Sequence, residues 1–158
     1  MIRLLTRRSI LLSAVVACIP LGSALAQLQQ FPTAELTIES ANGPHKFAVE
    51  VATTPSQMEQ GLMYRRSLAA NAGMLFDYGQ PSLAAMWMKN TLIPLDMLFV
   101  NEQGRIVNIR ERAIPGSLET IPAAGPVRAV IELNGGTVAK LGIRPGDHVV
   151  YPIFRAAG

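Results

Sequence analysis

Cysteine is almost missing from this 158-residue chain; Cys18 stands alone. It lies in an apolar N-terminal stretch, so the domain that follows has no disulfide, no thiolate nucleophile and no cysteine-held zinc. Histidine is nearly as scarce. His45 and His148 are the only two, each in or beside a turn and without a ligand-spaced partner, so no metal site is expected. No nucleophile-elbow motif accompanies the serines. Gly135-Gly136 is too short for a phosphate-cradling loop. No cofactor is expected. Charged residues make up 16% of the chain, few enough that any carboxylate inside an apolar segment stands out.

The N-terminus has a different composition. Arg3, Arg7 and Arg8 precede an apolar run from Ile10 to Leu25, and no acid interrupts them. Ala24-Leu25-Ala26 is a small-x-small cleavage pattern. Together these form the three parts of a secretory signal peptide. The run is short for a membrane span, which needs about 20 apolar residues, and Pro20 with Gly22 breaks its second half. Residues 1–26 are therefore expected to be cleaved after Ala26, with the protein working in the periplasm. Two variants are weighed. Thr6-Arg7-Arg8-Ser9-Ile10-Leu11 resembles a twin-arginine export signal. Val15-Val16-Ala17-Cys18 resembles a lipobox, which would make Cys18 a lipidation site. Membrane contact is expected only during export or through such an anchor. The formal charge of +3 belongs to this segment: without its arginines, 11 bases face 11 acids. A neutral domain gives no reason to expect nucleic acid as a partner.

Residues 27–33 read as a disordered lead-in and residues 34–155 as a single β-rich domain. Leu36 to Ile38 and Phe47 to Val51 alternate as strands around the turn Ala41-Asn42-Gly43-Pro44. Thr54, Pro55 and Gln57 form a capping-box start for a short helix that stops near Gly61. Gly73 to Phe76 is a buried strand. Met86 to Thr91 and Leu95 to Val100 look like two more, with Pro94 at their junction. Arg105 to Ile109, Val127 to Leu133 and Val149 to Tyr151 follow. Thr137 to Leu141 makes about one helical turn, and Gly142 is its left-handed stop. The expected fold is mainly β: a single compact antiparallel β-barrel or jelly-roll-like sandwich with two short helices.

The chemistry concentrates between Trp87 and Asp96. Asp96 lies among Leu92, Ile93, Leu95, Met97, Leu98 and Phe99. A buried, unpaired carboxylate costs several kcal/mol or loses its charge. A partner is thus expected, and Lys89 and Arg65 are the obvious cations. On a strand, Trp87, Lys89 and Thr91 share one face, and Met86, Met88 and Asn90 the other. An aromatic ring, an ammonium and a hydroxyl together suit a small polar ligand. A Lys–Asp or Arg–Asp pair fixing strand register is the structural alternative. Glu132, within Ala129-Val130-Ile131-Glu132-Leu133, raises the same question more weakly and can face solvent at its strand end.

These residues carry a family resemblance. Gly61-Leu62-Met63-Tyr64-Arg65, Gly73-Met74-Leu75-Phe76, the block from Trp87 to Asp96, Ile131 to Gly136 and Leu141 to Asp147 resemble DUF192, a bacterial and archaeal domain of unknown function. The resemblance spans roughly Phe47 to Tyr151. It implies a compact β-rich fold, often behind a signal peptide, and no activity. By position, the polar residues of its motifs are Arg65, Lys89, Asn90, Thr91 and Asp96.

Three functions are compatible with these features. A binding module for a small ligand or envelope component would use Arg65, Trp87, Lys89, Asn90, Thr91, Asp96 and Glu132 as pocket residues. An envelope interaction protein would instead expose an apolar patch of several hundred Å². A hydrolase or lyase would use Asp96 or Glu132 as acid or base, with Lys89 or Arg65 stabilising an anion.

Overall fold

A computed structural model describes residues 28–154. The expected signal peptide, its cleavage at Ala26 and the lipidation of Cys18 fall outside the described residues. The fold is mainly β, as expected, with nine strands and two short helices.

The chain opens with the hairpin β1 (Thr33–Ser40) and β2 (Gly43–Ala52). The short helix α1 (Pro55–Gln60) follows. Its start is as the sequence predicts: the Thr54 side chain accepts from the Gln57 N–H, and the Gln57 side chain reaches back to the Thr54 N–H. Next come β3 (Ala72–Ser82), the two-residue β4 (Ala85–Met86), β5 (Leu95–Val100), β6 (Ile106–Ala113), the two-residue β7 (Ile121–Pro122) and β8 (Val127–Asn134). Helix α2 (Thr137–Leu141) ends at Gly142, whose φ of 69° is the expected left-handed stop. The last strand is β9 (His148–Val150).

Seven strands form one sheet in the order β6-β5-β8-β3-β2-β1-β9, and β4 pairs with β7 apart from it. The sheet curls until its two edges meet at one end. Arg105 bridges His148 across the seam. There the Ile106 N–H donates to the Asp147 carbonyl at 2.9 Å and the Val149 N–H to the Gly104 carbonyl at 2.7 Å. The result is a half-barrel, with no second large sheet stacked on it among the described residues. Gly104 allows the seam to close. Its φ is +78°, and an added Cβ would lie 2.6 Å from the Val149 carbonyl oxygen. Gly104→Ala should cost about 1–3 kcal/mol through strain and displacement of that contact. An unchanged urea midpoint would show that the seam contributes nothing.

Both faces of the sheet are covered, which explains why β5 is buried at every position. On the concave side Leu36, Ile38, Val49, Leu75, Leu98, Ile131 and Val149 pack around Val138 of α2. On the other, Met74, Phe76, Leu95, Met97, Phe99 and Val130 pack under Leu62, Met88 and Ile121. Alternate residues of β3, β5 and β8 thus enter different cores, as the pleat requires. Burying both faces removes the alternation of polar and apolar residues that marks a half-exposed strand.

The structure corrects three expectations. The sheet is antiparallel except between β2 and β3, which run parallel. The segment carrying α1 crosses between them, and a connection of that length permits a parallel return where a tight turn does not. Residues 87–91 are not a strand. They turn, with Asn90 at a φ of 57°, and the Gly116 N–H donates to the carbonyls of Met88 and Thr91. Residues 28–32 lie along α1 instead of trailing free. The Gln29 N–H donates to Gln60 Oε1, Gln57 Nε2 donates to the Gln30 carbonyl, and Phe31 packs on the outer core.

Candidate functional site: a cleft over a buried carboxyl

The structure separates the two carboxylates that the sequence singles out. Asp96 projects to the concave side of β5 and is fully buried. Neither Lys89 nor Arg65 reaches it. Its Oδ1 accepts the N–H of Arg112 at 2.8 Å and of Gly136 at 3.0 Å, and its Oδ2 accepts the N–H of Val138 at 2.8 Å. Backbone amides, not a cation, satisfy it. Two of those donors open α2, so Asp96 fastens that helix to the sheet. Arg112 adopts a φ of 47° at a register shift between β5 and β6 and offers the third donor. Arg65 pairs elsewhere, with two hydrogen bonds of 2.7 and 2.5 Å to Glu50 of β2. This pins the loop after α1 to the sheet.

Glu132 projects to the opposite face. On β8 it lies opposite Met74 of β3 on one side and Met97 of β5 on the other. Only 4% of it is exposed, and no hydrogen bond to its carboxyl arises from the described residues. Burial pushes it up to about 8 from the usual carboxyl value of 4.5, so at neutral pH it is mostly protonated. Tyr78, on the neighbouring β3, is pushed up to about 12 by burial and then by the charge on Glu132. Its hydroxyl donates to Met86 Sδ at 3.4 Å.

Above Glu132 is a cavity of about 120 Å³, walled by residues of α1, β3 and the turning segment 85–91. Phe76, Tyr78 and Trp87 supply rings, Met58, Met63 and Met86 thioethers, and Thr91, Gln60, Glu59 and Lys89 polar groups. Trp87, Lys89 and Thr91 come together as the sequence suggests, although a turn assembles them and not a pleat. The Lys89 ammonium lies over the Trp87 ring, 5.1 Å from its centre. No carboxylate among the described residues forms an ion pair with it. A groove of about 320 Å³ continues outward, sharing Glu59, Gln60, Met63, Trp87 and Lys89 and reaching Tyr64 and Asn90. Asn90 Nδ2 donates to the Tyr64 hydroxyl at 3.0 Å, closing that side.

A larger groove of about 620 Å³ lies between β2 and α2, lined by Phe47, Leu68, Leu141, Lys46 and Lys140. It has no buried polar group left without a partner, so the Glu132 cleft is the chemically distinctive one. Among the described residues, no cluster of three or more His, Asp or Glu could hold a metal ion, and no helix is long and apolar enough to cross a membrane.

Phe76, Tyr78, Glu59 and the three methionines escape a reading of the sequence. They reach the cavity because β3 lies beside β8 and α1 folds over them, and no local motif marks either arrangement.

The fold has solved counterparts. A crystal structure of a provisionally named transcription regulator from Sinorhizobium meliloti matches with a TM-score of 0.76 and 46% identity, covering 78% of this chain and 97% of that one. A protein of unknown function from Novosphingobium aromaticivorans matches with a TM-score of 0.74 and 39% identity, covering 90% of this chain and 100% of that one. No protein of curated function matches the sequence. The family model for DUF192, described as uncharacterized ACR, matches residues 36–151. The chain belongs to the DUF192 family.

Proposed function

We propose that this protein is an exported periplasmic binding module that holds a small ligand in the Glu132 cleft. One observation carries the reading: the carboxyl of Glu132, a residue only 4% exposed, has no hydrogen-bond partner among the described residues and reaches solvent only through a cavity. Leaving a buried polar group unpaired costs about 1–3 kcal/mol. A fold tolerates that where a ligand or solvent completes the bonding. The remaining walls are apolar and aromatic with a few polar groups, the composition of small-molecule sites. Export is supported by the arginine-led apolar stretch and the cleavage pattern at Ala26. Fractionation of cells expressing the full chain tests it; recovery of an uncleaved chain in the cytoplasm would refute it.

The site has its own reporter, because Trp87 is the only tryptophan and is 46% exposed at the cavity mouth. A panel of small amines, acids, alcohols and amides should contain members that shift Trp87 emission and show saturation transfer in ligand-observed NMR. Glu132→Gln should weaken the binding of members that accept the carboxyl proton or pair with the carboxylate by up to roughly tenfold, the loss of one hydrogen bond. A folded protein on which no member of the panel moves Trp87 emission would end the binding reading.

A further inference from the structure

We infer that the ligand is a compact organic ammonium, seated with its positive head against Glu132 and its remainder along the outer groove. This rests on the binding reading above and gives that site a ligand class. The first argument is charge. Glu132 and Glu59 line the cavity, against the single ammonium of Lys89. Lys89 is held away at the mouth, over the Trp87 ring. The carboxyl at the floor therefore has no counter-charge to hold it ionised, and a ligand cation would supply one.

The second argument is the wall. Phe76, Tyr78 and Trp87 surround the same space, and aromatic faces attract ammonium groups through their quadrupoles. Trp87 already does so for Lys89. Methionine thioethers fill the gaps between the rings with polarisable, uncharged surface. The third argument is size. A cavity of about 120 Å³ takes a head group of a few heavy atoms, and the groove of about 320 Å³ beyond it takes a tail.

The proton balance follows from the state of Glu132. At neutral pH the carboxyl is mostly protonated. Binding an alkylammonium leaves a carboxylate–ammonium pair and releases the carboxyl proton to solvent. Affinity should then rise with pH until Glu132 is ionised in the empty site, near pH 8, and level off above it. The other titratable or charged groups facing Glu132 are Tyr78 on β3, Glu59 on α1 and Lys89 in the turning segment. Two strands across, on the same pleat, Arg110 lies opposite Met97 and is held by Glu119. Tyr78, pushed up to about 12, keeps its proton throughout the window used.

Three probes of four carbons each separate the possibilities: n-butylammonium, n-butanol and butyrate. Each is titrated against the native protein and Glu132→Gln from about pH 6 to about pH 9, reading Trp87 emission and calorimetric heat. Butylammonium should bind tightest, gaining up to roughly tenfold per pH unit below the plateau. Calorimetry in buffers of different ionisation heat should show proton release at neutral pH. Glu132→Gln should abolish both the preference and the slope. Butyrate binding tightest, or affinity falling as pH rises, would overturn the ammonium assignment and leave the binding site standing. Equal binding of butanol and butylammonium would also overturn it, reducing the cleft to an apolar pocket. Failure of all three probes to move Trp87 would sink both the assignment and the site.

Discussion

Asp96→Ala is expected to unfold the domain, or to leave it without fixed tertiary packing, at neutral pH. The substitution removes one small side chain but strands three N–H donors, those of Arg112, Gly136 and Val138. The Val138 donor is buried and the other two are part-buried, and a buried donor left unpaired costs about 1–3 kcal/mol, a part-buried one less. The sum is comparable with the whole stability of a domain this size, roughly 5–15 kcal/mol. The damage also spreads. Without Asp96, the start of α2 has no anchor on β5, and Val138 loses its fixed place among the concave core residues. Asp96→Asn should be milder. An amide oxygen can keep the two bonds made by Oδ1, but its NH₂ group then meets the Val138 N–H, donor against donor. Urea denaturation of the three proteins tests the order native, Asn, Ala. An alanine variant within about 1 kcal/mol of native would refute the anchoring role.

The second large effect concerns pH. Between the unfolded carboxyl value of 4.5 and the folded value of about 8, Glu132 is protonated in the folded chain and ionised in the unfolded one. Unfolding then releases a proton, so the stability that Glu132 contributes is fully present below the unfolded value. It falls as pH rises through this window and is level above the folded value. The slope is about 1.4 kcal/mol per pH unit, which amounts to several kcal/mol over the range. Glu132→Gln cannot titrate and should lack the slope, becoming more stable than the native protein in mildly alkaline buffer. Urea midpoints at about pH 5 and about pH 8.5 read the difference. A native and a Gln variant with parallel pH profiles would show that Glu132 is not the desolvated acid that its burial makes it.

Much of the architecture is legible in the residues themselves. The Thr54-Pro55-Gln57 cap, the Gly142 stop and the apolar run Leu95–Val100 are local signals, and each marks its element. The partner of Asp96 is not legible. Carboxylates are read against cations because cations are distinctive in a sequence, whereas every residue except proline offers a backbone N–H. The three that hold Asp96 arrive from 16 to 42 positions away. Arg65 has the same difficulty, since its Glu50 partner depends on the crossover between β2 and β3. Trp87, Lys89 and Thr91 are grouped by the sequence through a strand pleat that does not form, yet they share a cavity wall because a turn with backbone bonds to Gly116 presents them together. Glu132 is the reverse case. Its strand is plain, but its setting depends on β3 and β5 flanking it and on α1 covering it, all remote in the chain.

The strand order also governs when this molecule can become itself. β8 lies in the middle of the sheet between β5 and β3, and β9 completes the seam beside β1, yet both come from the last part of the chain to be made. A nascent chain emerging from the ribosome would have the β1-β2-β3 unit and the β5-β6 hairpin but no strand to join them. Most pairings must wait for partners far away in the sequence, which slows folding and makes it all-or-none. The two parts of the sheet would therefore be joined only once β8 has been translated, and the seam closed only once β9 has followed it.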